Sequence, residues 1–418
     1  MAYGGDGEVA VVGSGLVGVC SALHLARTGN RVVLIDPGPP ERAASFGNAG
    51  QLAIGEVVPL SVPGVLRQVP GWLMDPGGPL AIRWRYLLRL APWLVRFLRH
   101  ASMERVEAIS RTMADLNGMI YDDYAPLLTA AGVADMVVRK PYVRVYRQEE
   151  DWRAEGWRFE LRVKSGLKHR TLDAEALRAL LPDISDRFRF AVTYDDRHYV
   201  KSPPRLVRAF REQLARNGGR LVTGEVQGFD IADGVVRALR LTDGTRLPVR
   251  AAVIAAGAWS HHLARELGDR VPLESERGYH IVLPDPGVRL EHTVSNFARG
   301  MSVIPMEEGL RMCGGVEFGG LEAPPTPARF DQLIQSAREM FPGLKVEGGT
   351  RWMGHRPSLP DSLPLIDRAI RFPNVVYAFG HGHMGLSWAP TTGRFVASLV
   401  NRQPVNFDLA PFRLARFA

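Results

Sequence analysis

The sequence predicts an α/β protein of two domains, one built on a parallel sheet and interrupted along the chain, the other built on antiparallel strands. Three observations predict this fold. Residues 9–38 show the pattern strand, tight turn, helix, strand, so the chain opens with a βαβ unit. Strands around Asp-Gly turns return only at 220–257, after a long interruption, and the residues beyond 270 are mostly strand-like. A chain of 418 residues also exceeds the size at which single cores usually divide.

The opening unit is defined by its apolar pattern. Residues 9–12 and 32–35 are continuous apolar runs, as expected of strands that are buried on both faces. Gly29 stands where a left-handed helix cap belongs. The apolar residues between the strands recur at helical spacing, namely Leu16, Cys20, Leu23 and Ala26.

A glycine fingerprint joins the first strand to the helix. The pattern G-x-G-x-x-G comprises Gly13, Ser14, Gly15, Leu16, Val17 and Gly18. Gly13 permits the tight turn, Gly15 lets the backbone approach a pyrophosphate, and Gly18 lets the helix pack on the strand. Asp36 ends the next strand, where an acid binds a ribose diol and disfavours a 2′-phosphate. The unit therefore predicts a Rossmann-like dinucleotide site at a helix N-terminus.

Composition excludes several classes of function. The formal net charge is +8, but the arginines are scattered and no nucleic-acid-binding motif accompanies them, so we expect no nucleic-acid partner. Cys20 and Cys313 are the only cysteines, which excludes a disulfide framework and a four-cysteine zinc site and suits a reducing compartment. No metal-ligand spacing appears. We also expect no secretory signal and no membrane-spanning helix, hence a cytoplasmic protein.

The segment that follows the βαβ unit favours FAD over a nicotinamide cofactor. Residues 39–78 are rich in Gly and Pro and contain ASFGNAGQL at 44–52, and the sheet does not resume until the 220s. A nicotinamide enzyme usually continues with regular βα units, whereas an inserted domain suits an extended FAD. We expect the FAD-binding domain to comprise 1–78, 197–265 and 345–418, and the substrate-binding domain to comprise 79–196 and 266–344.

Residues 80–105 mix Leu, Trp and Phe with arginines, and Pro92 predicts a division into two helices. Two interpretations stay open for this stretch. It suits a peripheral contact with the inner face of the plasma membrane, because arginine and tryptophan beside leucine are typical of membrane interfaces. It equally suits a core or subunit contact along which the arginine stems lie.

Five segments together resemble the FAD-dependent amine oxidoreductases of the D-amino-acid oxidase and glycine oxidase superfamily, and bacterial D-amino-acid dehydrogenases in particular. These segments are the fingerprint at 9–38, SFGNAGQL at 45–52, VIAAGAWS at 253–260, HRPSLPDSLPLI at 355–366 and FGHGHMGLSWAPTTGR at 379–394. Because they touch both ends and the middle, the resemblance covers the architecture of the whole chain.

The resemblance implies further contacts with FAD. The loop that wraps the flavin would comprise Ser45, Asn48, Ala49, Gly50 and Gln51. Val226 would meet the adenine through its backbone, and Gly257 and Trp259 would lie on the cofactor side near the phosphates. A glycine-rich turn would point a helix N-terminus at the flavin C2 carbonyl, where its dipole stabilises negative charge. The residues of that turn are Gly382, His383, Met384, Gly385 and Leu386.

The resemblance also implies the residues that meet the substrate. Arg356 corresponds to an arginine that clamps the substrate carboxylate, a task that suits a planar, permanently charged guanidinium; from the residues alone, a salt bridge to Asp361 is an equal alternative. Tyr279 could bond the same carboxylate or could be a core tyrosine, and strand alternation would turn His280 to the opposite face. His383 stands where glycine oxidases have arginine and could contact the substrate, tune the flavin or bond only backbone.

The implied reaction is the dehydrogenation of a D-amino acid. Hydride passes from Cα to flavin N5, and the imino acid then hydrolyses to a keto acid. D-proline, hydroxyproline or N-methyl amino acids are alternative substrates, and the chain could be the flavin subunit of a larger complex. A quinone or a partner protein could accept the electrons. Two other classes stay open, an NAD-dependent dehydrogenase and a non-catalytic electron-transfer subunit.

Overall fold

The computed structural model describes residues 7–75 and 78–417. The strands of these residues are β1 Val9–Val12, β2 Val32–Asp36, β3 Leu80–Ile82, β4 Val137–Val138, β5 Tyr142–Tyr146, β6 Arg170–Leu172, β7 Phe190–Tyr194, β8 Tyr199–Val200, β9 Arg220–Thr223, β10 Val226–Ala232, β11 Val235–Leu241, β12 Arg246–Pro248, β13 Ala251–Ile254, β14 Glu274–Leu283, β15 Val294–Asn296, β16 Met301–Met306, β17 Gly309–Phe318, β18 Thr350–Ser358, β19 Leu365–Arg368 and β20 Val375–Phe379. The α-helices are α1 Leu16–Arg27, α2 Val65–Met74, α3 Leu87–Arg99, α4 Met103–Gly118, α5 Ile120–Ala131, α6 Glu149–Arg153, α7 Trp157–Lys164, α8 Ala174–Leu180, α9 Pro203–Arg216, α10 Ser260–Glu266, α11 Pro327–Met340 and α12 Gly385–Val400.

The first sheet has the strand order β19-β20-β13-β1-β2-β9. Its pairs are parallel except that β19 runs antiparallel to β20. The helices α1, α9 and α12 cover one face, and the β10-β11-β12 meander with α10 covers the other. Both faces are therefore buried, which is why β1 is apolar throughout. The sheet gathers strands from the beginning, middle and end of the chain.

The second sheet has the order β18-β14-β17-β16-β15-β5-β7-β6, with β3 added beside β17. Its pairs are antiparallel apart from β15 with β5 and β17 with β3. The helices α8 and α11 pack on one face through an apolar cluster. The other face borders a cavity that separates this sheet from the first one.

Two segments lie across the domain limits expected from the sequence. β18 falls within 345–418 but pairs with β14 along its whole length, so it belongs to the second sheet. The helices α4 and α5 fall within 79–196, yet Met113, Leu116 and Tyr124 are buried in the same core as α1 and α12. Apolar burial, rather than order along the chain, decides both placements. The remaining limits stay a prediction.

The expected division at Pro92 is wrong, because α3 continues through it. Proline cannot bond the carbonyl four residues earlier, but Leu88 is 88% exposed, so water can reach that turn of the helix. The helix α2 was not predicted at all; its sequence contains both Pro70 and Gly71. Among the described residues, no helix combines the length and the hydrophobicity needed to cross a bilayer.

Candidate functional site

A cavity of about 1120 Å³ lies between the two sheets. Small-molecule pockets usually measure roughly 300–1,000 Å³, so this one has room for a dinucleotide and a small substrate together. The site residues expected from the sequence that line it are Gly13, Gly15, Leu16, Val17, Asp36, Ser45, Asn48, Ala49, Gln51, Val226, Gly257, Trp259, Tyr279, Arg356, Gly382, His383, Met384, Gly385 and Leu386. Three other expected site residues, Ser14, Gly18 and Gly50, do not line the cavity directly.

The turn after β1 is packed too closely for side chains. Gly13 has φ +103°, and a Cβ on it would lie 2.3 Å from the carbonyl oxygen of Ala255. A Cβ on Gly18 would lie 1.8 Å from the carbonyl oxygen of Gly13. The backbone of Ser14 donates to Asp36 at 2.7 Å, which fixes that carboxylate at the cavity edge. The helix α1 therefore begins directly at the cavity.

The loop at 45–51 is held by both sheets. The Ser45 hydroxyl accepts a hydrogen bond of 2.8 Å from the backbone N–H of Leu16. On the other side, Arg311 donates from Nη1 to the carbonyl oxygen of Asn48 at 2.5 Å. A Cβ on Gly47 would lie 2.1 Å from the ring of Trp352. Sequence reasoning missed Arg311 and Trp352, because their partners stand more than 250 residues away.

These residues fit FAD. The positive φ of Gly13 and the close contacts around Gly18 bring a helix N-terminus to the cavity with no side chain in the way. Gly257, with φ +56°, has no atom within 4 Å of the place where its Cβ would stand, so the cavity is open there. The turn Gly382–Met384, which leads into α12, lines the same cavity.

Arg356 extends from β18 across the neighbouring strand β14. A Cβ on Gly278 would lie 2.3 Å from Cζ of Arg356, so the guanidinium rests directly over this glycine. Its Nη1 donates to the carbonyl oxygen of Gly315 at 3.1 Å. The alternative partner Asp361 pairs instead with Arg416, at 2.6 Å between Nε and Oδ2. Within the described residues Arg356 has no salt-bridge partner, and the carboxylate whose charge acts on it, Glu276, is hydrogen-bonded to His383, so the guanidinium can bind an anion in the cavity.

Tyr279 lines the cavity, but its hydroxyl is bonded within the protein, which favours the alternative of a core tyrosine; its contact with the substrate stays a prediction. Its hydroxyl donates to Glu317 at 2.8 Å and accepts from the backbone N–H of Thr326 at 3.1 Å. The ring packs edge-on against Phe330 of α11, on the face of the sheet opposite to Arg356. Strand alternation explains this placement, because the neighbouring Gly278 faces Arg356. Burial raises the pKa of Tyr279, and the phenol stays protonated.

His383 forms a pair with Glu276 beside Arg356. Its Nε2 lies 2.8 Å from Oε2 of Glu276, which is directly opposite Arg356 in the strand pairing. Burial acts to raise the pKa of Glu276, but the hydrogen bond from His383 and the charges of His383 and Arg356 outweigh it and hold that pKa below its usual value. Sequence reasoning missed Glu276, although its two-residue offset from Gly278 on one strand could have placed it on the cavity face.

Removal of the imidazole is expected to destabilise the fold more at neutral pH than at acidic pH. In His383→Phe, Glu276 loses the hydrogen bond and the charge of His383, so its carboxyl pKa rises. A lowered carboxyl pKa contributes stability above the unfolded pKa, and this contribution is lost as the pH falls, so its removal matters most at neutral pH. We expect a loss of about 1–3 kcal/mol at pH 7 that shrinks toward pH 4, measured by urea unfolding. His383→Gln, which keeps a donor, should retain most of the stability; an equal loss at every pH would contradict the pairing.

Comparison with known proteins gives a consistent result. The DAO family model, described as FAD dependent oxidoreductase, matches residues 8–399. A protein named D-amino-acid oxidase from Bradyrhizobium diazoefficiens is 39% identical over 418 residues, covering 98% of this chain and 99% of the relative. A protein named D-amino acid dehydrogenase from Paramagnetospirillum magneticum is 30% identical, covering 98% of this chain and 99% of the relative.

Solved structures show the same fold. Glycine oxidase from Geobacillus kaustophilus superposes with a TM-score of 0.73 at 22% identity, covering 98% of each chain. Iminodiacetate oxidase from Chelativorans sp. superposes with a TM-score of 0.74 at 20% identity, covering 97% of this chain and 98% of the other. At this level of identity, the likeness establishes the two-domain architecture alone.

Proposed function

Because the chain belongs to the DAO family of FAD-dependent oxidoreductases, we propose that it dehydrogenates a D-amino acid whose carboxylate is held by Arg356. FAD is the cofactor of this family. The family, the two-domain fold and FAD were all predicted from the sequence, and those predictions are confirmed, whereas the NAD-dependent alternative is wrong. The D-amino acid is favoured because two relatives, at 39% and 30% identity, bear the names D-amino-acid oxidase and D-amino acid dehydrogenase.

One observation carries the proposal: a guanidinium without an ion-pair partner among the described residues borders a cavity that can hold FAD. Within the part of the chain that the structure describes, Arg356 forms one hydrogen bond, from Nη1 to the carbonyl oxygen of Gly315. A carboxylate can bind the fork of a guanidinium through two parallel hydrogen bonds. A substrate anchored in this way would have its Cα fixed in position, and orientation of this kind is a large contribution to catalysis.

The pair of His383 and Glu276 stands beside Arg356, with Nε2 of the imidazole 2.8 Å from Oε2 of the carboxylate, and the His383 side chain is exposed to the cavity. In the neutral tautomer that donates from Nε2 to Glu276, Nδ1 of His383 would be an acceptor for the proton of the substrate ammonium. Loss of the ammonium proton frees the lone pair that drives imine formation. When bound, FAD supplies the hydride acceptor.

Anaerobic bleaching of the flavin tests the proposal. The purified holoprotein is mixed with a panel of D- and L-amino acids, sarcosine and hydroxyprolines, and the visible flavin absorbance is followed by stopped flow. We expect D-amino acids to reduce the flavin and their L-enantiomers not to do so. Reduction by L-amino acids alone, or by none of the panel, would reject the proposal, and transfer to a dye by the isolated chain would exclude a purely structural subunit.

The electron acceptor is proposed to be a membrane quinone, and the supporting observation is a basic apolar patch. The patch comprises Leu66, Met74, Trp84, Leu88 and Val95, all of them exposed. The helices α2 and α3 that carry most of it contain arginines but no aspartate or glutamate. Exposed apolar side chains among cations suit an anionic lipid surface.

Substitution within the basic apolar patch should weaken binding to lipid. We expect the wild type to sediment with vesicles that contain anionic phosphatidylglycerol, and to bind less to neutral phosphatidylcholine vesicles. The double variant Trp84→Glu/Leu88→Glu should lose most of this binding, because charged groups at the interface cost free energy and repel anionic lipid. Ile370→Glu is the control, since Ile370 is 73% exposed but lies after β19. Equal sedimentation of both variants would contradict a membrane contact here.

A further inference from the structure

A second group of charged side chains borders the cavity, separate from Arg356. We call it the arginine wall, and it comprises Glu56, Arg144, Glu155, Arg162 and Arg197. Glu56, Arg144 and Arg197 line the cavity, and the other two stand behind them. The wall contains three guanidinium groups and two carboxylates, so it has an excess positive charge.

The two carboxylates of the wall are shared among the arginines. Nη1 of Arg144 reaches both oxygens of Glu155, at 3.0 and 3.1 Å. Arg162 also donates to Glu155, at 3.0 Å, and to Glu56 at 3.4 Å. Arg197 donates to Glu56 at 3.3 Å. Burial alone would raise the pKa of Glu56, but these arginines outweigh it and lower the pKa to about 2, so the carboxylate is ionised at every working pH.

The arginines nevertheless keep unused donors. The Nε atoms of Arg144, Arg162 and Arg197 are buried and have no hydrogen-bond partner within the described residues. Arg144 is only 2% exposed, and its guanidinium lies 4.7 Å from the centre of the Phe297 ring. A buried cation whose charge and donors are not fully matched costs free energy, because it has lost its hydration in a medium of low dielectric constant. An anion in the cavity would offset the excess positive charge of the wall, although it would not bond to these Nε atoms, which are closed to solvent.

The wall begins beside the part of the cavity assigned to the flavin. Nη2 of Arg197 donates to Oε1 of Gln51 at 2.5 Å, and Gln51 belongs to the loop expected to contact the isoalloxazine. Arg197 also lies 4.1 Å from the centre of the Tyr142 ring, which lines the same cavity. A substrate held by Arg356 could therefore extend its side chain toward the wall within one continuous space.

We propose, on the basis of the proposed function, that the arginine wall binds an acidic group at the end of the substrate side chain. The preferred substrates are then D-amino acids with a second carboxylate, such as D-aspartate and D-glutamate. Guanidinium groups suit this task because they pair with carboxylates at fixed geometry. The excess positive charge disfavours a cationic side chain, although Glu56 is partly exposed to the cavity.

Isosteric substrate pairs test this inference. Rates of anaerobic flavin reduction are compared for D-glutamate with D-glutamine and for D-aspartate with D-asparagine, with D-lysine and D-alanine included. We expect at least one acid to exceed its amide by about tenfold in kcat/KM, the value of one charge-assisted hydrogen bond. Amides that match or exceed the acids, or a preference for D-lysine, would overturn the inference while leaving the proposed function intact. Failure of every D-amino acid would reject both.

A variant of the arginine wall tests whether these residues cause the preference for acidic side chains. Arg197→Gln removes a positive charge, and its acid-to-amide ratio of kcat/KM should fall at least about fivefold. Arg170→Gln is the control, since Arg170 pairs with Asp195 at the surface of the second sheet, and its ratio should match the wild type. An unchanged ratio in Arg197→Gln would overturn the assignment to the wall. If Arg197→Gln does not bind FAD, the acid-to-amide ratio of Arg144→Lys is compared with that of the wild type instead. A lower ratio supports the assignment to the wall, and an unchanged ratio overturns it.

Discussion

Arg356→Ala is expected to bind FAD normally and to lose most of its activity toward D-amino acids. Removal of one partner from a buried charge pair costs roughly 2–5 kcal/mol, which corresponds to a fall in kcat/KM of between about 30-fold and several thousand-fold. FAD should stay bound, because the glycine turn after β1 and the loop at 45–51 are formed by other residues. The measurements are the flavin spectrum of the purified variant and the rate of anaerobic reduction.

Two further variants test this prediction, one as a control and one that should reproduce the loss of activity. Arg351→Ala is the control, because Arg351 stands on the same strand β18 but its side chain is 48% exposed and pairs with Asp331; it should behave like the wild type. Gly278→Val should reproduce the loss, because its side chain would occupy the space of the Arg356 guanidinium. Substrate dependence in Arg356→Ala that equals the wild type would refute the carboxylate clamp.

Gly18→Ala is expected to impair FAD binding. The new Cβ would stand 1.8 Å from the carbonyl oxygen of Gly13, so the start of α1 must move away from the turn. Overpacking of this kind costs about 1–3 kcal/mol, and we expect the FAD dissociation constant to rise by roughly 5- to 150-fold. Fluorescence titration of the apoprotein with FAD measures the change.

The matched control is Gly118→Ala. Gly118 is the last residue of α4, and a Cβ there would meet no atom within 4 Å. Alanine is a better helix former by up to about 1 kcal/mol, so this variant should be as stable as the wild type or slightly more stable, with unchanged affinity for FAD. If Gly18→Ala binds FAD as tightly as Gly118→Ala, the turn does not form the cofactor site.

The positions of the strands in the second sheet were easier to predict than the face of the sheet on which each side chain lies. The strand that contains Gly278, Tyr279 and His280 was expected from its apolar pattern, and it is present as β14. Its orientation was not fixed by that pattern, because all ten residues from Glu274 to Leu283 are buried. A strand buried on both faces shows no alternation of polar and apolar residues, so the sequence could not decide between a substrate contact and a core position for Tyr279.

The nucleotide end of the site could be predicted from the amino-acid sequence alone, because its determinants are local. Gly13, Gly18 and Asp36 lie within one βαβ unit, and the steric demand for glycine there acts between neighbours along the chain. The substrate end was decided only by the tertiary structure. Arg356 meets Gly278, and His383 meets Glu276, across separations of 78 and 107 residues. Such pairs depend on how the sheets are assembled, and the spacing of residues along the chain does not encode that assembly.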